Sequence, residues 1–149
     1  MWGSSFPSRG FSTKKGERRR KIKRYQQILQ ENPEDTRVRL KLGDLLLQKG
    51  EKERAVEEYL RAAQHYIKRE MDLKAISVCQ KVLRVDPTLL DVYHTLGQLY
   101  MKRGLLGEAK DQFRKILEMA PQEVRAEAMI RQIEEEQRRR VGNTPGRVN

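Results

Sequence analysis

Two segments of this chain carry the same pattern of residues, separated by one constant step. The later segment carries Ala109, Phe113, Ile116 and Pro121, and apolar or helix-ending residues lie one step earlier, at Ala75, Cys79, Val82 and Pro87. A step of roughly 34 residues is typical of proteins built from stacked units of two helices. Because one such unit cannot bury its apolar face alone, neighbouring units must pack side by side, and the stack presents an extended surface.

Proline and glycine mark the ends of the helices in these units. Pro33, Pro87 and Pro121 each follow a stretch of helical period, and proline cannot continue a helix because it lacks a backbone N–H. Gly50 and Gly104 lie at turns between paired helices, where glycine can adopt a positive φ. Together with the apolar periodicity, these signals predict seven helices, at about residues 16–31, 35–49, 53–69, 72–85, 89–103, 106–118 and 122–139.

The repeat is irregular in its first half. Gly43 matches Gly97 in its surroundings, yet the distance between them along the chain falls short of two regular steps. The helix at 53–69 is therefore predicted to serve two units, as the second helix of one and the first helix of the next. Either this helix is contacted on several sides, as its broad apolar face indicates, or the stack changes its curvature there.

The pattern in residues 88–121 resembles the tetratricopeptide repeat family. The residues that carry the resemblance are Tyr93, Leu96, Gly97, Tyr100, Ala109, Phe113 and Pro121. The resemblance covers residues 16–139 in about three repeats with an irregular phase. It implies an all-α fold, a right-handed superhelical solenoid of antiparallel helix pairs. Residues 1–15, rich in serine and glycine, and residues 140–149 are predicted to be disordered basic tails.

The family resemblance also implies a function in binding other proteins. First helices of such repeats line a groove for an extended peptide or a partner helix, and the family consists mostly of adaptors and scaffolds. The groove residues implied for this chain are Leu40, Asp44, Leu47, Leu60, Gln64, Ile67, Asp91, His94, Gln98 and Met101. Members that grip the C-terminal tails of chaperones use lysine and asparagine at positions where this chain has Leu40, Asp44, His94 and Gln98. A chaperone tail is therefore not the expected partner.

Two alternatives remain open for the apolar residues of this chain. Leu40, Leu47, Leu60 and Ile67 are also consistent with core positions between neighbouring helices. In addition, the leading half-repeat at 16–31 is expected to expose an apolar flank, through which the protein could self-associate. Exposed side chains at these positions would indicate a binding surface, and buried ones would indicate a core.

The chain lacks the residue patterns of an enzyme or a metal site. Its single cysteine, Cys79, occupies the position of Phe113, which favours packing over a nucleophilic role. Two histidines and one cysteine cannot complete an ordinary zinc site. A non-catalytic protein without a cofactor is therefore expected. The cysteine content favours a reducing, cytoplasmic environment, and no apolar run is long enough to span a membrane.

Positive charge is concentrated at the two ends of the chain. The net charge is +11, of which residues 1–24 contribute +8 and residues 138–149 contribute +4, so the remainder is close to neutral at −1. The N-terminal basic arm consists of Lys14, Lys15, Arg18, Arg19, Arg20, Lys21, Lys23 and Arg24. Such an arm can bind nucleic acid or an acidic protein without sequence preference. The first hypothesis is an adaptor that binds a peptide in its groove; the alternative is a nucleic-acid-associated or acidic-partner-binding protein that acts through this arm.

Overall fold

The computed structural model describes Gly3 and residues 13–143, and this part of the chain contains seven α-helices and no β-strand. In chain order they are α1 (Lys14–Glu31), α2 (Thr36–Gln48), α3 (Lys52–Lys68), α4 (Asp72–Val85), α5 (Leu90–Lys102), α6 (Leu106–Met119) and α7 (Val124–Gly142). The predicted all-α class and the seven helices are confirmed. None of the described helices is both long and apolar enough to cross a bilayer.

The first and last helices are longer than predicted. α1 begins directly after Thr13, whose hydroxyl accepts a hydrogen bond from the backbone N–H of Gly16 at 3.2 Å. α7 continues to Gly142, and an ion pair of 3.1 Å between Arg140 Nε and Glu136 Oε1 joins successive turns of its last part. The inner ends of both predicted tails are therefore helical, and most of the remaining tail residues lie outside the described part of the chain.

The chain divides into two compact units, and the division falls inside α3, between Arg61 and Ala62. In the first unit, α2 and α3 pack closely because Gly43 has no side chain. A Cβ at Gly43 would lie 2.5 Å from Cε1 of Tyr59, whose side chain is fully buried. The hydroxyl of Tyr59 donates a 2.5 Å hydrogen bond to Oδ1 of Asp44. α2 and α3 thus pack as one repeat.

The apolar residues of α1 are largely covered. Ile22 is buried, and Tyr25, Ile28 and Leu29 are half-buried. No large apolar side chain of this fully described helix is exposed. The open apolar flank expected on this helix is therefore absent, and self-association through it is not supported.

In the second unit, α5 and α6 pack as α2 and α3 do. Gly97 lies against the ring of Phe113, where an added Cβ would come within 2.7 Å of Cε2. The core of this pair also includes α7, and its fully buried members are Ala109, Phe113, Ile116, Ala126 and Ile133. One repeat step earlier, Ala63 and Cys79 replace Gly97 and Phe113 and are also buried. Ala63 is larger than Gly97 and Cys79 is smaller than Phe113, so a residue with a side chain on the first helix accompanies a shorter side chain on the second.

α3 begins in the first unit and ends in the second. Its first half belongs to the first unit, where Tyr59 packs against α2. Its second half belongs to the second unit and ends in a turn closed by a 2.9 Å hydrogen bond from the backbone N–H of Met71 to the carbonyl of Tyr66. Equivalent 2.9 Å bonds close the turns after α2 and α5, from Glu51 to Leu46 and from Leu105 to Tyr100. The turn after α3 therefore has the same backbone closure as the turns inside the other two helix pairs.

The turn after α3 holds a non-glycine residue at positive φ. Gly50 and Gly104 adopt φ values of 88° and 73° after α2 and α5, as predicted, whereas the equivalent residue after α3 is Glu70, with a φ of 55°. We expect Glu70→Gly to raise the free energy of unfolding by about 0.5–1 kcal/mol in urea denaturation, because a Cβ in the left-handed region is strained. Glu70→Ala removes the same carboxylate but keeps the Cβ, so an equal gain in that variant would contradict this explanation.

The side of α7 that carries Arg131 is polar and solvated. Arg131 stands one repeat step after Gly97, so a second helix could not approach α7 there as closely as α6 approaches α5. Nη2 of Arg131 lies 3.6 Å from Oε2 of Glu127, and both side chains are mostly exposed. Terminal repeats need such a solvated face.

Candidate protein-binding site

The groove residues predicted in the first unit are half-buried. They are Leu40, Asp44 and Leu47 on α2 and Leu60 on α3. Asp44 accepts the hydrogen bond of the Tyr59 hydroxyl, so part of its carboxylate is engaged inside the unit. Burial, together with the hydrogen bond and the charge of Asp44, raises the pKa of Tyr59, which stays a neutral donor. In this unit the predicted residues combine a packing role with a partly accessible surface.

The groove residues predicted in the second unit fall into three levels of exposure. Gln64, Asp91 and Gln98 are exposed, and Ile67 and Met101 are half-buried. His94 departs from the expectation for a groove residue, since only 6% of its surface is exposed. The exposed residues and part of the apolar ones are therefore accessible from solvent, but little of the His94 imidazole is.

His94 is covered by the start of α7. Its Nε2 lies 3.2 Å from Oε2 of Glu123, and its ring packs against Phe113 with 5.8 Å between the ring centroids. The same carboxylate oxygen caps α7 by accepting the backbone N–H of Ala126 at 2.6 Å. This backbone hydrogen bond, together with a weaker one from the backbone N–H of Arg125, lowers the pKa of Glu123 and keeps its carboxylate ionised. His94 therefore joins α5 to α7.

Met101 lines a cleft that sequence reasoning missed. The cleft has a volume of about 280 Å³, and its lining residues are Met101, Leu106, Gln132, Glu135, Glu136, Arg139 and Arg140. Met101 and Leu106 supply its apolar part, and charges of both signs surround it. The repeat step could have revealed the contribution of α7, because it leads from Gln98 to Gln132 and from Met101 to Glu135.

Three glutamines occupy the same repeat position on three helices. Gln64 on α3, Gln98 on α5 and Gln132 on α7 follow one another at successive repeat steps, and all three are exposed. An amide side chain both donates and accepts hydrogen bonds, which matches the N–H and C=O groups of a peptide backbone. We call these three residues the glutamine row. Because these side chains are uncharged, hydrogen bonds to them do not depend on the net charge of a ligand.

The predicted basic arm is part of the folded first unit. Its residues form the first part of α1, where Arg18 is half-buried and the other cations are exposed. Nη1 of Arg18 donates to the backbone carbonyl of Gln48 at 3.2 Å, which joins α1 to the end of α2. A cleft of about 300 Å³ at this junction is lined by Lys14, Lys15, Arg18, Arg19 and Lys49. Sequence reasoning missed Lys49, which reaches this cleft from the turn after α2.

Residues 13–143 contain no cluster of side chains suited to a metal ion. No group of three or more histidine, cysteine, aspartate or glutamate side chains comes together in this range. Cys79 is 1% exposed, and burial raises the pKa of its thiol to about 11, so little thiolate forms near neutral pH. The predicted packing role of Cys79 is confirmed by its burial.

Two family models for tetratricopeptide repeats match the chain, one at residues 14–69 and one at residues 73–133. Together they extend from the start of α1 to the middle of α7. The chain belongs to the tetratricopeptide repeat family, and the resemblance carried by residues 88–121 is confirmed. Repeats of this family are typically non-catalytic modules for protein interaction.

Solved structures of other repeat proteins share the fold. The crystal structure of MamA aligns with a TM-score of 0.53 at 21% identity and covers 84% of this chain and 85% of that one. The C-terminal TPR-containing domain of a Plasmodium falciparum protein gives 0.58 at 18% identity and covers 85% and 91%. YrrB, described as a TPR protein with an unusual peptide-binding site, gives 0.50 at 16% identity and covers 82% and 70%. At these identities the likeness concerns the fold alone. Among curated proteins, none matches this sequence.

Proposed function

We propose that the second unit binds an extended segment of a partner protein, and that the chain acts as a cytoplasmic adaptor or scaffold. The observation that carries the proposal is the glutamine row, which reaches the cleft lined by Met101 at Gln132. Family membership supports it, because stacked repeats use such extended surfaces for binding.

The glutamine row recognises the main chain of the partner segment. Each amide can donate to one peptide carbonyl and accept from one peptide N–H, so these contacts require no particular side chain in the partner. Because one glutamine lies on each of α3, α5 and α7, the segment contacts all three helices. Gln98 stands where the chaperone-binding members of the family are expected to carry asparagine, but the accompanying lysine is missing, so the segment needs no free C-terminal carboxylate.

One apolar side chain of the segment enters the cleft between α5 and α7. The cleft volume of about 280 Å³ lies just below the roughly 300–1,000 Å³ of sites for small organic ligands, which favours a single side chain as its occupant. Met101 and Leu106 contact that side chain, and the flexible thioether of methionine adapts to different shapes. Glu135 and Arg139 at the rim contact charged residues on either side.

The first unit supplies a second surface in this proposal. Leu40, Leu47 and Leu60 offer the accessible part of their apolar side chains, beside the carboxylate of Asp44. This surface contacts the partner independently of the second unit. Its apolar character favours a hydrophobic or amphipathic stretch of the partner.

A selection from random linear peptides of about 12 residues tests the proposal. Peptides selected on the full chain are expected to bind the Gln98→Ala/Gln132→Ala variant at least about tenfold more weakly, because each lost hydrogen bond contributes about 1 kcal/mol. Met101→Glu is expected to weaken binding at least as much, because it places a charge in the apolar part of the cleft. Fluorescence polarisation of the labelled peptides measures both effects. Because the glutamine variant changes exposed side chains only, we expect it to keep the fold, which circular dichroism checks.

Leu73→Glu is the matched control for Met101→Glu. Leu73 lies on α4 in the same unit, is 64% exposed and does not line the cleft. Introducing the same charge there should leave the affinity for the selected peptides within about twofold of that of the unchanged chain. Peptides that bind all variants alike, or a library that yields no binder to the full chain, would contradict the proposal.

A further inference from the structure

The positively charged residues at the start of α1 have no acidic partners in the described structure. Between Lys14 and Arg24 there are eight cations and one carboxylate, that of Glu17. None of the eight forms an ion pair with a described residue, whereas Arg39 and Lys110 in other helices pair with carboxylates at 2.7 and 2.6 Å. We call these eight residues the cationic surface. Its charge is uncompensated within the described part of the chain.

Four of these eight residues line a cleft together with Lys49. All of its lining residues are cations, namely Lys14, Lys15, Arg18, Arg19 and Lys49, around a volume of about 300 Å³. The hydrogen bond to the carbonyl of Gln48 holds the Arg18 guanidinium at this place. Nζ of Lys49 lies 2.5 Å from Oε1 of Glu51, which neutralises part of the charge. The four cations from α1 remain available to phosphate oxygens.

This arrangement weakens α1 as an isolated helix. Cations four residues apart repel each other on the helix surface, as Arg20 and Arg24 do. Lys14 and Lys15 also lie in the first turn, where the helix dipole favours negative charge. Because helix stability gains nothing from these charges, their accumulation points to an anion outside the chain.

We propose that the cationic surface binds the phosphate backbone of double-helical nucleic acid, independently of base sequence. The net charge of residues 14–24 is +7. At a rise of 1.5 Å per residue these residues span about 15 Å, which corresponds to roughly one positive charge per 2 Å. Duplex DNA carries about one negative charge per 1.7 Å of its axis, so the two charge densities are similar. Half of the eight cations are arginines, whose planar guanidinium groups bind phosphate through two parallel hydrogen bonds.

An anionic membrane surface fits α1 less well. A helix that lies in a membrane interface inserts an apolar face into the lipid. In α1, Ile22 is buried within the first unit, and no large apolar side chain of the helix is exposed. Binding through α1 is therefore purely electrostatic, which favours a partner with a dense and continuous line of phosphates.

Fluorescence anisotropy with a labelled DNA duplex of about 20 base pairs tests the proposal on the full chain. We expect binding at about 50 mM KCl, with a logarithm of the association constant that falls linearly with the logarithm of the salt concentration. The variant Arg20→Gln/Lys23→Gln/Arg24→Gln removes three exposed cations of α1. It is expected to bind at least about tenfold more weakly, with a salt slope shallower by up to about 2.7.

The matched control removes three exposed cations from the second unit. Arg114→Gln/Lys115→Gln/Arg131→Gln changes the net charge by the same amount, but each of these residues already pairs with a carboxylate. It should bind the duplex within about twofold of the unchanged chain. A second variant, Arg20→Lys/Arg24→Lys, keeps the charge of α1 and should retain most of the binding.

Three results would overturn the proposal. Equal weakening by both triple variants would show that net charge alone causes the binding. An unchanged affinity of the α1 triple variant would show that Arg20, Lys23 and Arg24 do not take part, which contradicts a binding surface made of all eight cations. Tighter binding, per anionic charge, to vesicles with about 30% phosphatidylserine than to the duplex would assign the surface to membranes.

Discussion

Gly97→Ala is expected to lower the free energy of unfolding by about 2 kcal/mol, although alanine favours helices more than glycine by about 1 kcal/mol. The added Cβ would lie 2.7 Å from Cε2 and 2.8 Å from Cε1 of Phe113. The Phe113 ring is fully buried in the core of α5, α6 and α7, so it cannot move away without displacing its neighbours. The steric cost therefore exceeds the gain in helix propensity, and urea denaturation measures the difference.

Gly107→Ala is the matched control for this prediction. Gly107 lies within α6, and an added Cβ would meet no atom within 4 Å. This substitution should stabilise the protein by about 0.5–1 kcal/mol, because only the helix propensity changes. In a Phe113→Leu background, the cost of Gly97→Ala should shrink, since the smaller side chain leaves room for the methyl group. Stabilisation by both alanine substitutions would show that the contact with Phe113 does not limit packing.

The close approach of paired helices was predictable from the glycines, but the compensation between positions was not. Gly43 faces Tyr59 and Gly97 faces Phe113, so a missing side chain accompanies a large ring in both pairs. One repeat step before Gly97 and Phe113, Ala63 replaces the glycine, and Cys79, which is smaller than phenylalanine, replaces the ring. A repeat pattern scores such positions one at a time, whereas packing depends on the combined volume of both partners.

Helix ends are predictable where proline or glycine marks them and less so where side chains decide. α4 ends before Pro87 and α5 before Gly104, as the sequence indicates. The start of α1 depends on one hydroxyl, that of Thr13, and the last turns of α7 include the ion pair of Arg140 with Glu136. A hydroxyl or an ion pair of this kind leaves no clear pattern in a highly charged sequence. The sequence alone therefore predicts a disordered tail at residues 14–15 and 140–142, where the structure has helix.

The candidate site shows the limit of reasoning from helix periodicity. Periodicity places His94 on the same face as Gln98, yet the start of α7 covers the imidazole through Glu123. It also cannot show that Arg139 and Arg140 reach the cleft beside Met101. Both findings depend on how α7 packs against α5 and α6, so they require the arrangement of three helices.

Arg39→Ala is expected to lower the free energy of unfolding by about 2–3 kcal/mol, because it leaves a poorly solvated carboxylate without its partner. Nη1 of Arg39 lies 2.7 Å from Oε2 of Glu58, and the two side chains are only 12% and 15% exposed. Nη2 of Arg39 also donates to the carbonyl of Pro33 at 2.6 Å, so one guanidinium links α2, α3 and the turn after α1. Thermal and urea denaturation of the full chain measure the loss.

An exposed ion pair provides the comparison that isolates the effect of burial. Arg114 and Asp111 approach to 3.5 Å, with side chains 56% and 68% exposed, so Arg114→Ala should change stability by less than about 0.5 kcal/mol. The double variant Arg39→Met/Glu58→Leu should cost less than Arg39→Ala alone, because it removes the stranded charge together with its partner. If Arg39→Ala is as mild as Arg114→Ala, water must reach Glu58 readily, and the first unit does not depend on this ion pair to hold its three helices together.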